Sequence, residues 1–382
     1  MRVLIDYRPA LRERSGVGEY THELARALLA QYGRNTPQPP LDLTLFSSSW
    51  KDRVADAPDL DGVRWIDRRV PVSVLNLAWH RLEWPPIETL SGQPFDVAHS
   101  SHPLLMPARA AAQVITIHDL NFLTNPERTQ AEIRRDYPDL AATHARRADA
   151  VVVSSAFAAG EVERRLGVAR DRIAICPPGA PDWEPRASAP ANGYVLFLGT
   201  LEPRKNIGGL LDAYETLLQD HGPTDTDRHA MPDLMLAGRA TDAARLWLER
   251  IARPPLADRV RYVGYVEPSA RRDLYLGARL LVQPSFEEGF GITVLEAMSL
   301  GVPVVAARRG SLPEVTGGAA LLVDPESSDD LASAMRRMAS DDSFAAACSA
   351  SGLARARAYC WSETARRVYE TYRQAIARRA ER

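Results

Sequence analysis

The strongest constraint on this chain is a rhythm: short apolar runs alternate, nearly one for one, with longer stretches of helical periodicity. In the first half, 3–5, 114–117 and 150–153 read as strands, with helical patterns over 18–30 and 127–148. A second series follows, with strands at 194–198, 234–237, 260–263, 280–283 and 302–306. Helices at 207–218, 241–252, 269–277 and 292–299 separate them. Strands spaced by single helices make a parallel sheet with helical cover, so the spacing predicts two α/β domains. Between the series, PPGAPDWEPRASAPANG at 177–193 interrupts the rhythm and is the best linker in the chain. The expected division is residues 1–180, a linker at 181–192 and a second domain at 193–360. Two such domains would face each other across a cleft at the carboxyl ends of their strands, where ligands of open α/β sheets bind.

A length of 382 residues with 45% hydrophobic content supports two ordinary cores. The net charge of −2 gives no electrostatic reason to bind nucleic acid. Cys176, Cys348 and Cys360 are odd in number and far apart. That fits a reducing compartment and argues against a disulfide framework or a cysteine-held metal. No apolar run reaches membrane-spanning length, and MRVLIDYRP meets a charge at Asp6, unlike a secretory signal. The chain reads as cytosolic, with attachment to a membrane surface open. From 327 onward the pattern is helical throughout, with Trp361 and Tyr369 on an apolar face, and DTDRH at 225–229 reads as an exposed insertion.

Four segments carry side chains suited to chemistry. In SFEEGFGITVLEAM, Glu288 and Glu296 stand eight positions apart across a turn-to-helix junction. Gly289 and Gly291 permit close backbone approach, and the 289–292 backbone, with Phe290 and Ile292, would face an anion at the helix start. A helix N-terminus merely enriched in acid fits equally well. RSGVGEYTHELARALL places Gly16 and Gly18 between a strand and a helix, either as a ligand loop or as a tight turn. VITIHDLNFL sets His118 and Asp119 at a strand's carboxyl end, where His118 is a site residue or a structural imidazole. FLGTLEPRKN sets Gly199, then Arg204 and Lys205, before a helix. Two such cations can neutralise a diphosphate, and they can equally be a solvated pair. His99 and His102 lack further ligands, so no metal site is expected.

The pieces SGVGEY, IHDL, GTLEPRKN, VQPSFEEGFGITVLEAMSLGVPVVAARRGSLPEV and LLVDP, in this order, resemble the retaining nucleotide-sugar glycosyltransferases of family 4 (GT4). The resemblance spans nearly the whole chain and is most specific over 281–325. It implies a GT-B fold of two Rossmann-like domains, an acceptor-side one first and a nucleotide-sugar one second, with a final helix at 361–382 returning to the first. It also implies that Glu288 contacts donor-sugar hydroxyls and Glu296 the ribose, and that Arg204 and Lys205 clamp the diphosphate. Gly16 and Gly18 would lie near phosphate and acceptor, and His118 beside the transferred sugar. IHDL and EPRKN are most similar to bacterial mannosyltransferases that build O-antigen or exopolysaccharide. CPPGAPDW, with Pro178 before Gly179, departs from the asparagine-glycine turn of many relatives.

The resemblance therefore implies hexose transfer, with mannose from GDP-mannose as the donor, to a glycan or lipid-linked oligosaccharide. It implies no metal, because cations and helix-terminal amides stabilise the leaving diphosphate. UDP-glucose or another nucleotide sugar is the alternative donor, and a nucleotide-sugar epimerase or a non-catalytic nucleotide-sugar binder is the alternative function. Arginine pairs at 68–69, 134–135 and 146–147 offer contact with anionic lipid or are ordinary solvated surface.

Overall fold

Two all-parallel sheets organise the residues that the computed structural model describes, namely 1–11, 14, 16–33, 36–52, 57–124, 137–219 and 231–382. They belong to separate compact units, Met1–Gly179 with Cys360–Arg382, and Ala180–Tyr359.

The first sheet contains β1 (Arg2–Asp6), β2 (Asp42–Ser48), β3 (Arg64–Arg68), β4 (Val97–Ser100), β5 (Ala112–Ile117), β6 (Ala150–Val153) and β7 (Ile173–Ile175). Its order is β3-β2-β1-β4-β5-β6-β7. The second contains β8 (Tyr194–Leu198), β9 (Leu234–Ala237), β10 (Val260–Tyr262), β11 (Ala278–Gln283), β12 (Val304–Ala307) and β13 (Leu321–Val323), in the order β10-β9-β8-β11-β12-β13. Both follow the doubly wound pattern in which the strand order reverses beside the first strand. The reversal falls between β1 and β4 in one sheet and between β8 and β11 in the other. Loops leaving those strands diverge to opposite faces, which opens a crevice at their carboxyl ends.

Burial explains why these runs are apolar without alternation: every residue of β5, β6 and β12 is buried, as expected for strands covered on both faces. Val3, Ile5, Val114 and Val152 pack with Leu24 and Leu28 of the helix Val17–Tyr32 and with Val368 and Tyr372 of the helix Trp361–Ala380. Leu4, Phe46 and Ala98 face the other way, onto Leu75 and Trp79 of the helix Val72–Leu82. Each such aliphatic or aromatic side chain contributes about 1.5–3 kcal/mol. The last helix is thus part of the first unit. Its Tyr369 stacks on Tyr32 at 4.1 Å, and its Tyr372 hydroxyl meets Nδ1 of buried His99 at 2.7 Å. In the second unit, Val195, Phe197 and Val282 pack with Leu210, Tyr214 and Met335, while Leu196, Leu281 and Val304 pack with Val294, Leu295 and Met298.

Several details depart from the expected pattern. β2, β3, β4, β7 and β13 are strands beyond those that the apolar runs predict. The segment after 327 is three helices, Ser328–Ser340, Asp342–Ala356 and Trp361–Ala380; Asp341 ends the first and caps the second by accepting from the Phe344 amide at 2.9 Å. The helix expected at 241–252 opens as a 3-10 turn, Asp242–Ala244, before Arg245–Ile251. Residues 181–192 lie within the second unit, where Arg186 donates to the carbonyls of Leu300 and Ala278. At Pro178-Gly179, a Cβ on the glycine would collide with the backbone of Cys360 and Trp361, so close approach of two chain segments requires glycine there. The insertion at 225–229 lies outside the described residues, as does part of the helical pattern at 127–148.

Candidate active site

In the second unit the site grows from the β8–β11 reversal point. β8 is followed by Gly199, whose amide donates to the Ala237 carbonyl, and the chain then makes a 3-10 turn at Pro203–Lys205. β11 ends in Gln283, and the loop after it brings Glu288 back over the same edge. Four groups meet there. Lys205 Nζ, Gln283 Nε2 and Ser285 Oγ converge on Glu288 Oε1 at 2.5, 2.8 and 2.9 Å, and Arg204 Nη1 stands 3.6 Å from Oε2. Arg204 is oriented by Glu202 at 2.7 Å and by the Glu287 carbonyl at 3.3 Å. Burial would push the Glu288 carboxyl up, but Lys205, Arg204 and the donated hydrogen bonds outweigh it and hold the group at about 2. Burial, helped by Arg204, lowers the Lys205 ammonium, and Glu288 offsets part of this.

The backbone supports this cluster. The Ser311 amide and hydroxyl both donate to the Glu288 carbonyl, at 3.1 and 3.0 Å. Gly291, at φ +89, opens the helix Ile292–Ser299 without a side-chain cap. Gly289 is buried, and Ile292 is half-buried beside Thr293. Phe290 is buried, with its ring edge-on to that of Tyr359 and ring centres 5.6 Å apart.

Glu296 is held separately. The Tyr275 hydroxyl lies 2.7 Å from Glu296 Oε2, and Arg271 Nη1 lies 3.6 Å from Oε1. A hydrogen-bonded chain nevertheless joins the two glutamates: Gln283 donates to Glu288, Thr293 Oγ1 approaches Gln283 Oε1 at 3.3 Å, and the Tyr275 hydroxyl lies 3.1 Å from the Thr293 carbonyl. Sequence reading missed Gln283, Ser285, Tyr275 and Arg271 as site residues. A polar residue closing the apolar run LLVQ was an available signal for Gln283; Tyr275 had none.

In the first unit, Gly16 and Gly18 have different reasons to be glycine. Gly16 sits at φ +49 with open space around it, whereas a Cβ on buried Gly18 would come within 2.6 Å of the Pro9 carbonyl oxygen. The helix they begin carries Tyr20, whose ring meets the His118 imidazole edge-on at 4.9 Å, so the glycine turn and His118 are neighbours through Tyr20. Burial pushes His118 down to about 4, against the pull of Asp119, so the ring is neutral at neutral pH. Its Nε2 is buried without a hydrogen-bond partner among the described residues.

At the β1–β4 reversal point, Asp6 receives Arg8 Nη2 at 2.6 Å and His102 Nε2 at 3.1 Å. Burial alone would raise the Asp6 carboxyl, but Arg8 and His102 hold it well below the usual range. The Leu104 amide donates to His102 Nδ1, which leaves Nε2 as the ring nitrogen that donates to Asp6. His99 is structural, bound to Tyr372 and Thr116. Among the described residues, no group of three or more His, Cys, Asp and Glu side chains could hold a metal ion.

This arrangement is a two-unit α/β scaffold with charged clusters at the carboxyl edges of both sheets. The family model for glycosyltransferase family 4 matches residues 14–182, and that for glycosyl transferases group 1 matches 192–341. The chain is 34% identical over 280 residues to an O-antigen chain mannosyltransferase B of Escherichia coli, covering 70% of this chain and 72% of that protein. It is 29% identical over 289 residues to the serotype-specific mannosyltransferase WbdA of Escherichia coli, of which it spans 33%. Sucrose-phosphate synthase from Thermosynechococcus elongatus shares the fold with a TM-score of 0.77 at 20% identity, covering 99% of both chains. Anabaena HepE in complex with UDP and glucose does so with a TM-score of 0.69 at 18% identity, over 97% of this chain and 99% of that one. The protein belongs to glycosyltransferase family 4 and has the GT-B type of α/β fold. Its activity is transfer of a sugar from a nucleotide-diphosphate donor to a glycan acceptor.

Proposed function

We propose that the protein transfers a hexose, with retention of anomeric configuration and without a metal, onto a glycan or lipid-linked oligosaccharide of a surface polysaccharide. The observation that carries this reading is the convergence of Arg204 and Lys205 on Glu288 at the β8–β11 reversal point. A lysine has three donors and spends one on Glu288, so it can serve a diphosphate while still tied to the carboxylate. As the bond from the anomeric carbon to the diphosphate oxygen breaks, the two cations stabilise the charge that collects on the leaving group. The acceptor oxygen attacks from the same face, and its proton passes to the departing phosphate. In this reading Glu288 holds sugar hydroxyls, Glu296 holds the ribose, and neutral His118 hydrogen-bonds the transferred sugar. Gly16, Gly18 and Gly199 give the backbone room around phosphate and acceptor, and the 289–292 backbone faces the diphosphate.

The donor nucleotide and sugar form the finer part of the proposal. The mannosyltransferase names of the Escherichia coli relatives support mannose as the sugar, with GDP-mannose the proposed donor. The UDP and glucose complex of HepE favours a second reading, a UDP-sugar donor, which the same cluster would serve. Purified protein should be offered GDP-mannose, UDP-glucose and related donors with a short lipid-linked glycan in EDTA. One added hexose by mass, α- or β-linked as in the donor by NMR, is the expected product. Transfer from UDP-glucose alone would replace the donor; loss in EDTA with rescue by a divalent ion would overturn the metal-free chemistry. Donor turnover without acceptor dependence would favour an epimerase.

A further inference from the structure

Away from the charged clusters at the sheet edges, the first unit holds a cavity of about 160 Å³, enclosed where the end of the helix Val72–Leu82 meets the helix Tyr137–Arg147 and the segment between β4 and β5. That is well below the roughly 300 Å³ and more of sites for drug-sized ligands, so it suits a single ring. Trp79, Leu105 and Ala108 give it an apolar wall, and two buried polar side chains, Gln113 and His144, 8 and 4% exposed, line it too. Each of the two is only half satisfied. The Leu105 amide donates to His144 Nδ1 at 2.9 Å, and burial, helped by Arg147, pushes the imidazole down to about 4, so the ring is neutral with its proton on Nε2. Gln113 Nε2 donates to the Met106 carbonyl at 2.7 Å. Among the described residues neither His144 Nε2 nor Gln113 Oε1 has a protein partner, although buried polar groups are nearly always paired. One donor and one acceptor are left for a ligand.

The rim decides the charge of that ligand. Glu83 and Arg147 pair at the mouth, each about half exposed, and Glu88, which accepts from the Arg109 and Ala110 amides, stands against Arg109. The charges cancel, so neither an anion nor a cation is favoured, whereas a neutral ligand carrying several hydroxyls matches the paired charges, the free donor and the free acceptor. The cavity also has a connection to the β1–β4 edge. Asn76 of the helix Val72–Leu82 accepts from Arg8 there at 3.0 Å, and Glu83 stands about 10 Å of helix further on. Between them lie polar rings: His80 and His144 have ring centres 6.2 Å apart, and His102, bound to Asp6 at the edge, is close enough to both to disfavour their charged forms. His80 Nε2 is buried without a hydrogen-bond partner among the described residues.

We propose that this cavity is a second glycan subsite, which holds one neutral sugar ring of the acceptor chain behind the ring that receives the transferred hexose. Gln113 Oε1 accepts from one hydroxyl, His144 Nε2 donates to another, Glu83 and Arg147 bind hydroxyls across the mouth, and Leu105 and Trp79 back the ring. The assignment rests on the glycan-acceptor reading above and adds a place where the chain is gripped away from the transferring edge. Its consequence is a preference for acceptors long enough to reach the cavity.

Saturation-transfer NMR on the full chain, without donor, should detect binding of short mannose or glucose oligosaccharides. Ala108→Phe, which fills the cavity, should weaken that binding by about tenfold or more. Glu83→Gln with Arg147→Gln changes only an exposed pair, and should weaken it in the same direction with the fold intact. In transfer assays both proteins should show a KM for a tetrasaccharide acceptor raised about tenfold at unchanged kcat, and wild-type values with a monosaccharide acceptor too short to reach the cavity. Because binding is read without donor, a wrong donor assignment leaves this test intact. Wild type that binds no oligosaccharide, or both variants binding like wild type, would overturn the inference. Free mannose or glucose bound as tightly as the oligosaccharides would take the cavity away from the acceptor chain, and binding of inorganic phosphate in place of any sugar would make it an anion site instead.

Discussion

Lys205 and Glu288, 83 positions apart in the chain, meet at 2.5 Å as a buried ion pair. Taking two charges out of water is costly, and the pair persists because Gln283 and Ser285 complete the carboxylate oxygen that the ammonium touches. The pair therefore has a structural role as well as the chemical one proposed above.

Removing Lys205 alone should leave an uncompensated buried carboxylate and cost about 3–5 kcal/mol of stability. Lys205→Met combined with Glu288→Gln should recover most of that loss in a denaturant titration while donor turnover stays abolished. Arg204→Ala should do the opposite of the lysine variant, because Arg204 is tied to Glu202 and only loosely to Glu288. Its midpoint should barely move while turnover falls by about 2 kcal/mol or more, roughly thirtyfold. Equal stability in all three proteins would remove the structural role.

Acid should probe the same pair. Glu288 titrates at about 2 against an ordinary 4.5, so its ionised form stabilises the fold fully above about pH 4.5. That contribution, on the order of 3 kcal/mol, should be lost as pH falls from there through about 2. Lys205 acts at the other end: burial and Arg204 lower it, so the cost of its charge is relieved only as pH rises. Stability measured between about pH 6 and 3 should decline more steeply in wild type than in the Lys205→Met, Glu288→Gln protein. Parallel curves would show that the pair does not carry the acid sensitivity.

Tyr275→Phe should reveal what Glu296 does. The hydroxyl is the near partner of that carboxylate, and losing a hydrogen bond to a charged group costs about 1.5–3 kcal/mol. If Glu296 grips the ribose, nucleoside diphosphate binding should weaken by roughly tenfold or more. Discrimination against a 2′,3′-dideoxy analogue should collapse with it. An unchanged ratio between the two nucleotides would separate Glu296 from ribose recognition.

Gly310→Ala should disturb Glu288 through the backbone. Gly310 has φ +61, and a Cβ there would come within 2.6 Å of the Glu288 carbonyl oxygen and 2.9 Å of its amide nitrogen. Strain of about 1–3 kcal/mol, with displacement of Glu288, should lower turnover at least about tenfold. Gly318→Ala is the control, since φ is +86 there but nothing lies within 4 Å. It should lose stability and keep turnover; equal turnover in both variants would remove Gly310 from the support of Glu288.

The strands readable in the sequence were those whose burial leaves an apolar run, such as 150–153 and 194–198. β2 carries Thr44, Ser47 and Ser48, β3 is an edge strand of mixed polarity, and β7 has only three residues, so each lacked that signature. Site residue types were legible for the same local reason, because polar groups that close an apolar run stand at a strand's carboxyl end. Partner choice was not local. Lys205 follows β8 and Glu288 follows β11, and they meet because β8 and β11 are hydrogen-bonded neighbours although β9 and β10 come between them in sequence. Tyr275 reaches Glu296 because its helix and Ile292–Ser299 flank β11. Sequence periodicity determined the strands whose burial leaves an apolar run and the helices between them; the order in which the strands pair, set by burial of both sheet faces at once, decided which charges share an edge.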